Sequence, residues 1–252
     1  GPGLSSASQN PTITNASMSN NGNYTLTVID ANGCVNSTNQ NVVVNPQPIV
    51  AATGNTVCQN LNTTLSSSGG ISYSWTGPAG FTSTSQNPLI NNAQLNYAGQ
   101  YLVIVTDANT CSDTTFATLI VNPTPVPQIV TNSPICIDHV LSLSGTGGVS
   151  YSWSGPNGFF SSVQSPTIMA NTTGYTGNYV LSVTDANGCI ASTSVPAIVH
   201  PIPNVTISST KNSGCPVFCS NFTFSSSSPI QTYNWNLGNG MTGTTSAGSG
   251  CF

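Results

Sequence analysis

The cysteines are the residues of this 252-residue chain best placed to do chemistry, and they recur at a fixed interval. Cys58 and Cys136 stand 78 residues apart, as do Cys111 and Cys189, while Cys34 precedes Cys111 by 77. Other reactive groups are sparse: Asp30, Asp107, Asp113, Asp138 and Asp185 are the five aspartates, there is no glutamate or arginine, and Lys211 is the one lysine. Zinc chelation needs clustered Cys and His at ligand spacing. Cys215 and Cys219 form a CxxxC pair, but neither His139 nor His200 sits at such a spacing from it. A catalytic nucleophile needs a base and an orienting group within reach, and two isolated histidines do not furnish them. The sequence therefore predicts no enzyme, no metal and no cofactor. Cysteines without metal spacing point to disulfides and an oxidising, extracellular location. With one lysine and no arginine the chain has no phosphate-binding surface, which excludes nucleic acid as a partner. No apolar run reaches the roughly 18 residues of a membrane span.

The elements that position these cysteines repeat with them. Tyr24 to Cys34 reads YTLTVIDANGC, Tyr101 to Cys111 reads YLVIVTDANTC, and Tyr179 to Cys189 reads YVLSVTDANGC. A period of this length marks a modular array. Each copy alternates apolar and polar residues as a half-buried strand does, with Tyr101, Val103 and Val105, and their counterparts Tyr24, Leu26, Val28 and Tyr179, Leu181, Val183, expected in the core. Asp-Ala-Asn-Gly is a tight-turn sequence: the aspartate bonds its own backbone and glycine accepts φ > 0. One carboxylate per turn is far short of the about six to eight oxygens that calcium takes. Trp75 and Trp153 occupy equal places in Tyr-Ser-Trp-[Thr/Ser]-Gly-Pro, as core residues or as sugar platforms. Pro46, Pro123 and Pro201 mark stiff Pro-x-Pro joints. The modules are residues 1–46 (partial), 47–124, 125–202 and 203–252 (partial), and both ends read as cut within a module. Each complete module letters as an immunoglobulin-type sandwich, strands A to G, giving an all-β fold of tandem immunoglobulin-like β-sandwich modules in a head-to-tail rod.

Val57-Cys58-Gln59-Asn60, Tyr73 to Pro78, Ala98-Gly99-Gln100-Tyr101 and Thr184 to Cys189 resemble the extracellular immunoglobulin-like repeats of Bacteroidota surface proteins, the giant adhesin or fibre type. The segment Tyr233 to Gly240 (YNWNLGNG) resembles the YxWxFGDG of polycystic-kidney-disease (PKD) type domains, with Leu237 and Asn239 departing from it. The resemblance implies export by the type IX system. It also implies O-glycosylation at Asp-[Ser/Thr]-[aliphatic/Thr], which makes Thr114, in Asp113-Thr114-Thr115, a candidate.

Equal spacing suggests disulfides within modules, Cys58–Cys111 and Cys136–Cys189. Topology suggests otherwise. Cys58 precedes strand B and Cys111 follows the F–G turn, at opposite ends of a strand of about seven residues at roughly 3.3 Å each. That is far beyond the Cα separation of about 4.4 to 6.8 Å in a disulfide. Head-to-tail stacking would set Cys58 beside Cys189, a bond between modules, whereas the intramodule pairs stand if the strand lettering is wrong. With the bond between modules, Cys34 pairs with a module upstream, and Cys136 and Cys215 with modules downstream. Cys219 and Cys251 fall at one end of the last module and can close within it.

A structural segment of an extracellular fibre, filament or stalk follows, with copies of itself or neighbouring modules of the same chain as partners. Leu102 and Ile104, where other modules carry Thr25 and Thr27 or Val180 and Ser182, mark a candidate packing face. The competing expectation is an adhesin whose modules bind surface glycans.

Overall fold

The computed structural model describes residues 1–236 and 241–244, with the backbone of 247–251; Leu237 to Gly240 of the PKD-like motif lie outside the described residues. The chain divides into two compact units, Gly1–Thr124 with Asn187–Cys189, and Pro125–Ala186 with Ile190–Phe252.

Residues 1–46 contribute one antiparallel hairpin, β1 (Gly22–Ile29) and β2 (Val35–Val42), in the register Tyr24↔Gln40. The next repeat contains β3 (Ala51–Thr53), β4 (Asn55–Cys58), β5 (Thr63–Thr64), β6 (Ser66–Ser68), β7 (Ser72–Thr76), β8 (Thr82–Ser83), β9 (Leu89–Ile90), β10 (Gly99–Thr106) and β11 (Ser112–Asn122). Its larger sheet has the order β4-β11-β10-β7-β8, and β3-β6 and β5-β9 pair separately. Chain order assigns β3 to strand A, β4 to A′, β5 and β6 to B, β7 to C, β9 to E, β10 to F and β11 to G. A′ runs parallel to G while the other pairs are antiparallel.

The third repeat follows the same plan with β12 (Gln128–Thr131), β13 (Ile135–Cys136), β14 (His139–Thr146), β15 (Ser150–Gly155), β16 (Phe159–Ser161), β17 (Thr167–Ala170), β18 (Gly177–Thr184), β19 (Ile190–Ala197) and β20 (Val199–His200). Its sheets are β16-β15-β18-β19 and β12-β14-β17, and β13 pairs parallel with β20. The last segment holds β21 (Val205–Ser209), β22 (Cys219–Ser226), β23 (Trp235–Asn236), β24 (Thr242–Gly243) and β25 (Ala247–Cys251), paired as β21-β22-β25 and β23-β24.

Alternation fills the space between the sheets. In the second repeat Leu65 and Ile90 meet Trp75, Tyr101, Val103, Val105, Ala117 and Leu119, all buried. In the third, Leu141, Leu143 and Ile168 meet Trp153, Tyr179, Leu181, Val183 and Ala197. The Tyr101 hydroxyl donates to the Tyr97 carbonyl at 2.8 Å, and Tyr179 does the same to Tyr175 at 2.9 Å. This is the tyrosine corner of immunoglobulin-type sandwiches. Antibody domains place a B–F disulfide cysteine two residues beyond that tyrosine; Val103 and Leu181 stand there instead, both fully buried. The core is therefore closed without sulfur, and the cysteines lie elsewhere.

Two buried hydroxyls on strand B, Thr63 Oγ1 and Ser67 Oγ, have no hydrogen-bond partner; the third repeat has Leu141 and Gly145 at these places. Leu26 and Val28 depart from the expected core, at 56% and 54% exposure. Residues 1–46 contain no strands equivalent to A, B, C and E, so Leu26 and Val28 have no opposing sheet to pack on, while Tyr24 at the start of β1 is half-buried and donates to the Pro2 and Asn20 carbonyls.

The corner makes a specific prediction. Burial, with Tyr97 beside it, raises the Tyr101 hydroxyl above its ordinary pKa, so the neutral, donating form is the one the fold favours. A raised acid contributes stability that is intact below about pH 10, the ordinary tyrosine value, and is lost as pH climbs through the higher folded value. Tyr101→Phe is expected to lower the stability of the second repeat by about 1 to 2 kcal/mol, since the Tyr97 carbonyl loses its donor. Urea denaturation at pH 7 checks it, and the gap between wild type and variant should narrow above pH 10.

Candidate functional site

Cys58 closes β4, whose parallel register sets it opposite Asn122 at the far end of β11. The next residue, Gln59, donates its backbone N–H to the Asn122 carbonyl at 2.7 Å, and Asn60 takes φ +69° while donating to Ala93. Cys111 directly precedes β11 at its other end. Cys58 and Cys111 are thus separated by the full eleven-residue length of strand G, which at about 3.4 Å per residue is well over 30 Å. The same holds in the third repeat, where Cys136 pairs with His200 and Cys189 directly precedes Ile190. Strand G keeps the two cysteines of each repeat apart, and neither intramodule bond forms.

The bond that forms is Cys58–Cys189, with Cα atoms 5.6 Å apart across 131 residues of sequence. Cys189 is completely buried, and the Asn187–Cys189 segment of the third repeat's F–G turn belongs to the same compact unit as the second repeat. Cys34, Cys111, Cys136 and Cys215 carry free thiols. Cys219 is disulfide-bonded, which removes it as a zinc ligand, and the β22–β25 register sets Cys251 opposite it.

The turn that presents the F–G cysteine is built by one aspartate. Asp107 Oδ1 accepts the backbone N–H groups of Asn109 and Cys111, both at 2.9 Å, and the Asp107 N–H donates to the Cys111 carbonyl. Asp30 repeats this on Asn32 and Cys34, at 2.9 and 2.8 Å. The N–H of Cys34 holds the Asp30 carboxyl below its ordinary range; desolvation, the next effect in size, raises it, and the Asn32 N–H adds to the lowering. A lowered carboxylate stabilises its turn above the ordinary pKa of about 4, and that support is lost as pH falls through the folded value. These carboxylate oxygens are engaged by the turn backbone, as the sequence anticipates.

The second repeat departs from its sisters at one position. Thr110 adopts φ +64° where the first and third repeats carry Gly33 at φ +84° and Gly188 at φ +81°. A β-branched residue in the left-handed region is strained, and a Cβ at Gly33 or Gly188 meets nothing within 4 Å, so the cost is one of backbone conformation. Thr110→Gly is expected to stabilise the second repeat by up to about 1 kcal/mol, the left-handed penalty less the added freedom of the unfolded chain. Thermal denaturation would show a midpoint higher by several degrees, up to roughly 8 °C; a lower midpoint would contradict the strain.

Trp75 and Trp153 are 1% exposed, and their indole N–H groups donate to Ser85 and Val163 carbonyls at 3.0 Å. They are core residues and present no face to a sugar. On the outer face of strand F, Ile104 is 40% exposed and Leu102 half-buried. Register sets Phe116, exposed on strand G, opposite Leu102, and Thr114 opposite Ile104. Phe116 was absent from the expected packing face, although its place three residues after Asp113 on the outward side of a strand was available as a signal. The candidate glycan acceptor and the candidate packing face therefore share one surface. In the last segment, a groove of about 420 Å³ opens beside Val205, Phe224, Tyr233 and Trp235, where Phe224 and Trp235 stack at 6.2 Å. It lies against the open side of β21 and β22 and holds no ionisable side chain apart from Tyr233.

The chain is a tandem array of immunoglobulin-like β-sandwich domains. No protein-family model matches it, and no curated protein does. Among solved structures it is similar to the three N-terminal domains of the bacteriophage RB49 highly immunogenic outer capsid protein, at 15% identity and TM-score 0.34, covering 80% of each chain. Murine CEACAM1b is similar at 11% identity and TM-score 0.32, covering 60% of this chain and all of that one. An amphioxus IgVJ-C2 molecule is similar at 15% identity and TM-score 0.29, covering 57% of this chain and 99% of that one. The domain assignment rests on strand order and the tyrosine corner, which these likenesses do not extend. Among the described residues, no helix is long and apolar enough to cross a membrane.

Proposed function

We propose that this chain is a structural segment of an extracellular fibre, filament or stalk built from disulfide-stabilised immunoglobulin-like repeats. The observation that carries the reading is the Cys58–Cys189 bond, which joins residues of two successive repeats and leaves each repeat's core without sulfur. A disulfide that is not needed to close a core serves to tie repeats together. Stiff Pro-x-Pro joints at Pro46, Pro123 and Pro201 support the same end. Near-absence of charge supports close packing of chains, because long-range repulsion is small. Copies packed side by side would meet through Leu102, Ile104 and Phe116, unless Thr114 carries a glycan. The resemblance to Bacteroidota surface proteins, with a PKD-like last segment, fits export by the type IX route to the cell surface.

Electron microscopy of the protein on its source cells tests the reading: ordered filaments are expected, thinning or fraying after reduction of disulfides. Isolated flexible threads that bind a glycan array would instead make it an adhesin.

A further inference from the structure

We propose that Cys111 and Cys136 are two halves of the bond that Cys58 and Cys189 complete: Cys136 forms a disulfide with an F–G-turn cysteine, and Cys111 with an A′–B cysteine, each carried by another repeat of this type. The pairing deepens the fibre reading and rests on it. Cys136 lies 78 residues after Cys58, and Cys189 lies 78 residues after Cys111, so each free thiol has a bonded twin at the same place in a sister repeat.

The local structure of the twins is the same. Cys58 pairs with Asn122 and Cys136 with His200, in parallel register at the end of strand G. Gln59 donates to the Asn122 carbonyl at 2.7 Å and Ile137 to the His200 carbonyl at 2.9 Å. Asn60 and Asp138 follow in the left-handed region, at φ +69° and +67°, and donate to Ala93 and Ala170, both at 2.8 Å. Position 136 thus offers its sulfur from the backbone arrangement that position 58 uses when bonded. What differs is occupancy: Cys189 is fully buried, Cys111 half-buried and Cys136 exposed.

Strand G also supplies the exclusion rule. Because it holds the two cysteines of one repeat apart, an A′–B cysteine cannot meet the F–G cysteine of its own repeat, and the one bond between repeats joins an A′–B cysteine to an F–G cysteine. Cys34 falls in the F–G class with Cys111, and Cys215 precedes strand B of the last segment as Cys136 does in its repeat. Formation needs an oxidant, and a small disulfide of the glutathione class suffices. One cysteine thiolate attacks the oxidant's S–S bond and releases a thiol; the second attacks the mixed disulfide and releases the other. Two protein thiols are oxidised, one disulfide is reduced to two thiols, and the protons pass to those thiols and the buffer.

The test is a disulfide map of the protein isolated from its source with thiols alkylated at lysis, digested without reduction and read by mass spectrometry. Cys136 is expected on a peptide linked to an F–G-turn cysteine, and Cys111 on one linked to an A′–B cysteine. Recovery of either residue as an alkylated thiol, or like-with-like links such as Cys111–Cys111 or Cys136–Cys136, overturns the proposal. Intact mass separates the two sources of the partner: it falls severalfold on reduction if the partner is a second copy and stays constant if the partner is a neighbouring repeat of the same polypeptide. Filaments seen with free Cys111 and Cys136 would sink this pairing alone, and mapped bonds without filaments would sink the fibre reading alone.

Discussion

Trp75→Ala is expected to unfold the second repeat while leaving the third folded. The indole is 1% exposed on strand C, sits among Leu65, Ile90, Val103 and Leu119, and donates to the Ser85 carbonyl. Truncating a buried aromatic costs about 3 to 5 kcal/mol in lost burial and cavity, and the orphaned carbonyl adds about 1 kcal/mol or more. An ordinary domain of this size has about 4 to 12 kcal/mol to lose, at 0.05 to 0.15 kcal/mol per residue. No B–F disulfide is present to hold the sheets together once the indole is gone. The third repeat has its own core around Trp153, and with the remaining Trp235 replaced by phenylalanine, Trp153 fluorescence in the Trp75→Ala protein reports on it directly. Circular dichroism should therefore show part of the β-structure already lost without urea, with the Trp153 signal holding its wild-type value until the third repeat's own urea transition. Simultaneous loss of both signals would mean that the repeats do not fold on separate cores.

How much of this was legible from sequence depends on the range of the signal. Strand F and its turn were readable because their determinants are local: alternation from Tyr101 to Val105, then an aspartate whose carboxylate reaches only four residues ahead, to Cys111. The Cys58–Cys189 bond was reachable, though not unique, because it follows from which end of a strand each cysteine occupies. The exposure of Leu26 and Val28 was not readable from alternation, since burial depends on strands that alternation in one segment cannot supply. The outer apolar face was half visible: Leu102 and Ile104 are near neighbours in sequence, whereas Phe116 joins them only through the antiparallel register of strands F and G. Nor did the sequence reveal Thr110 as a strained copy of a glycine, because its conformation is set by the turn and not by its own preference.

The crossing from strand A to strand A′ carries the other large effect, at a residue that comparing the repeats would pass over. Gly54 separates β3, which pairs with β6, from β4, which pairs with β11, so the chain changes sheets at this one residue. A Cβ at Gly54 would lie 1.7 Å from the Thr118 carbonyl oxygen and 2.7 Å from the Thr118 nitrogen. Both are backbone atoms of strand G, so no side chain can swing aside to make room. Relief requires moving A and A′ away from the sheet, which withdraws Val50, Ala52 and Val57 from the core. The third repeat has Asn132 at this place, where its side chain donates to the Val140 carbonyl and accepts from the Ser142 N–H; it crosses along strand B instead, so identity at the position is not shared although the task is. Gly54→Ala is expected to cost about 3 kcal/mol or more, the upper range of overpacking, because backbone must yield. Gly80→Ala is the control: φ is +75° there and a Cβ meets nothing within 4 Å, so only the left-handed penalty of about 1 to 2 kcal/mol applies. Chemical denaturation should place the Gly54→Ala midpoint well below that of Gly80→Ala, and equal midpoints would remove the steric account of the crossing.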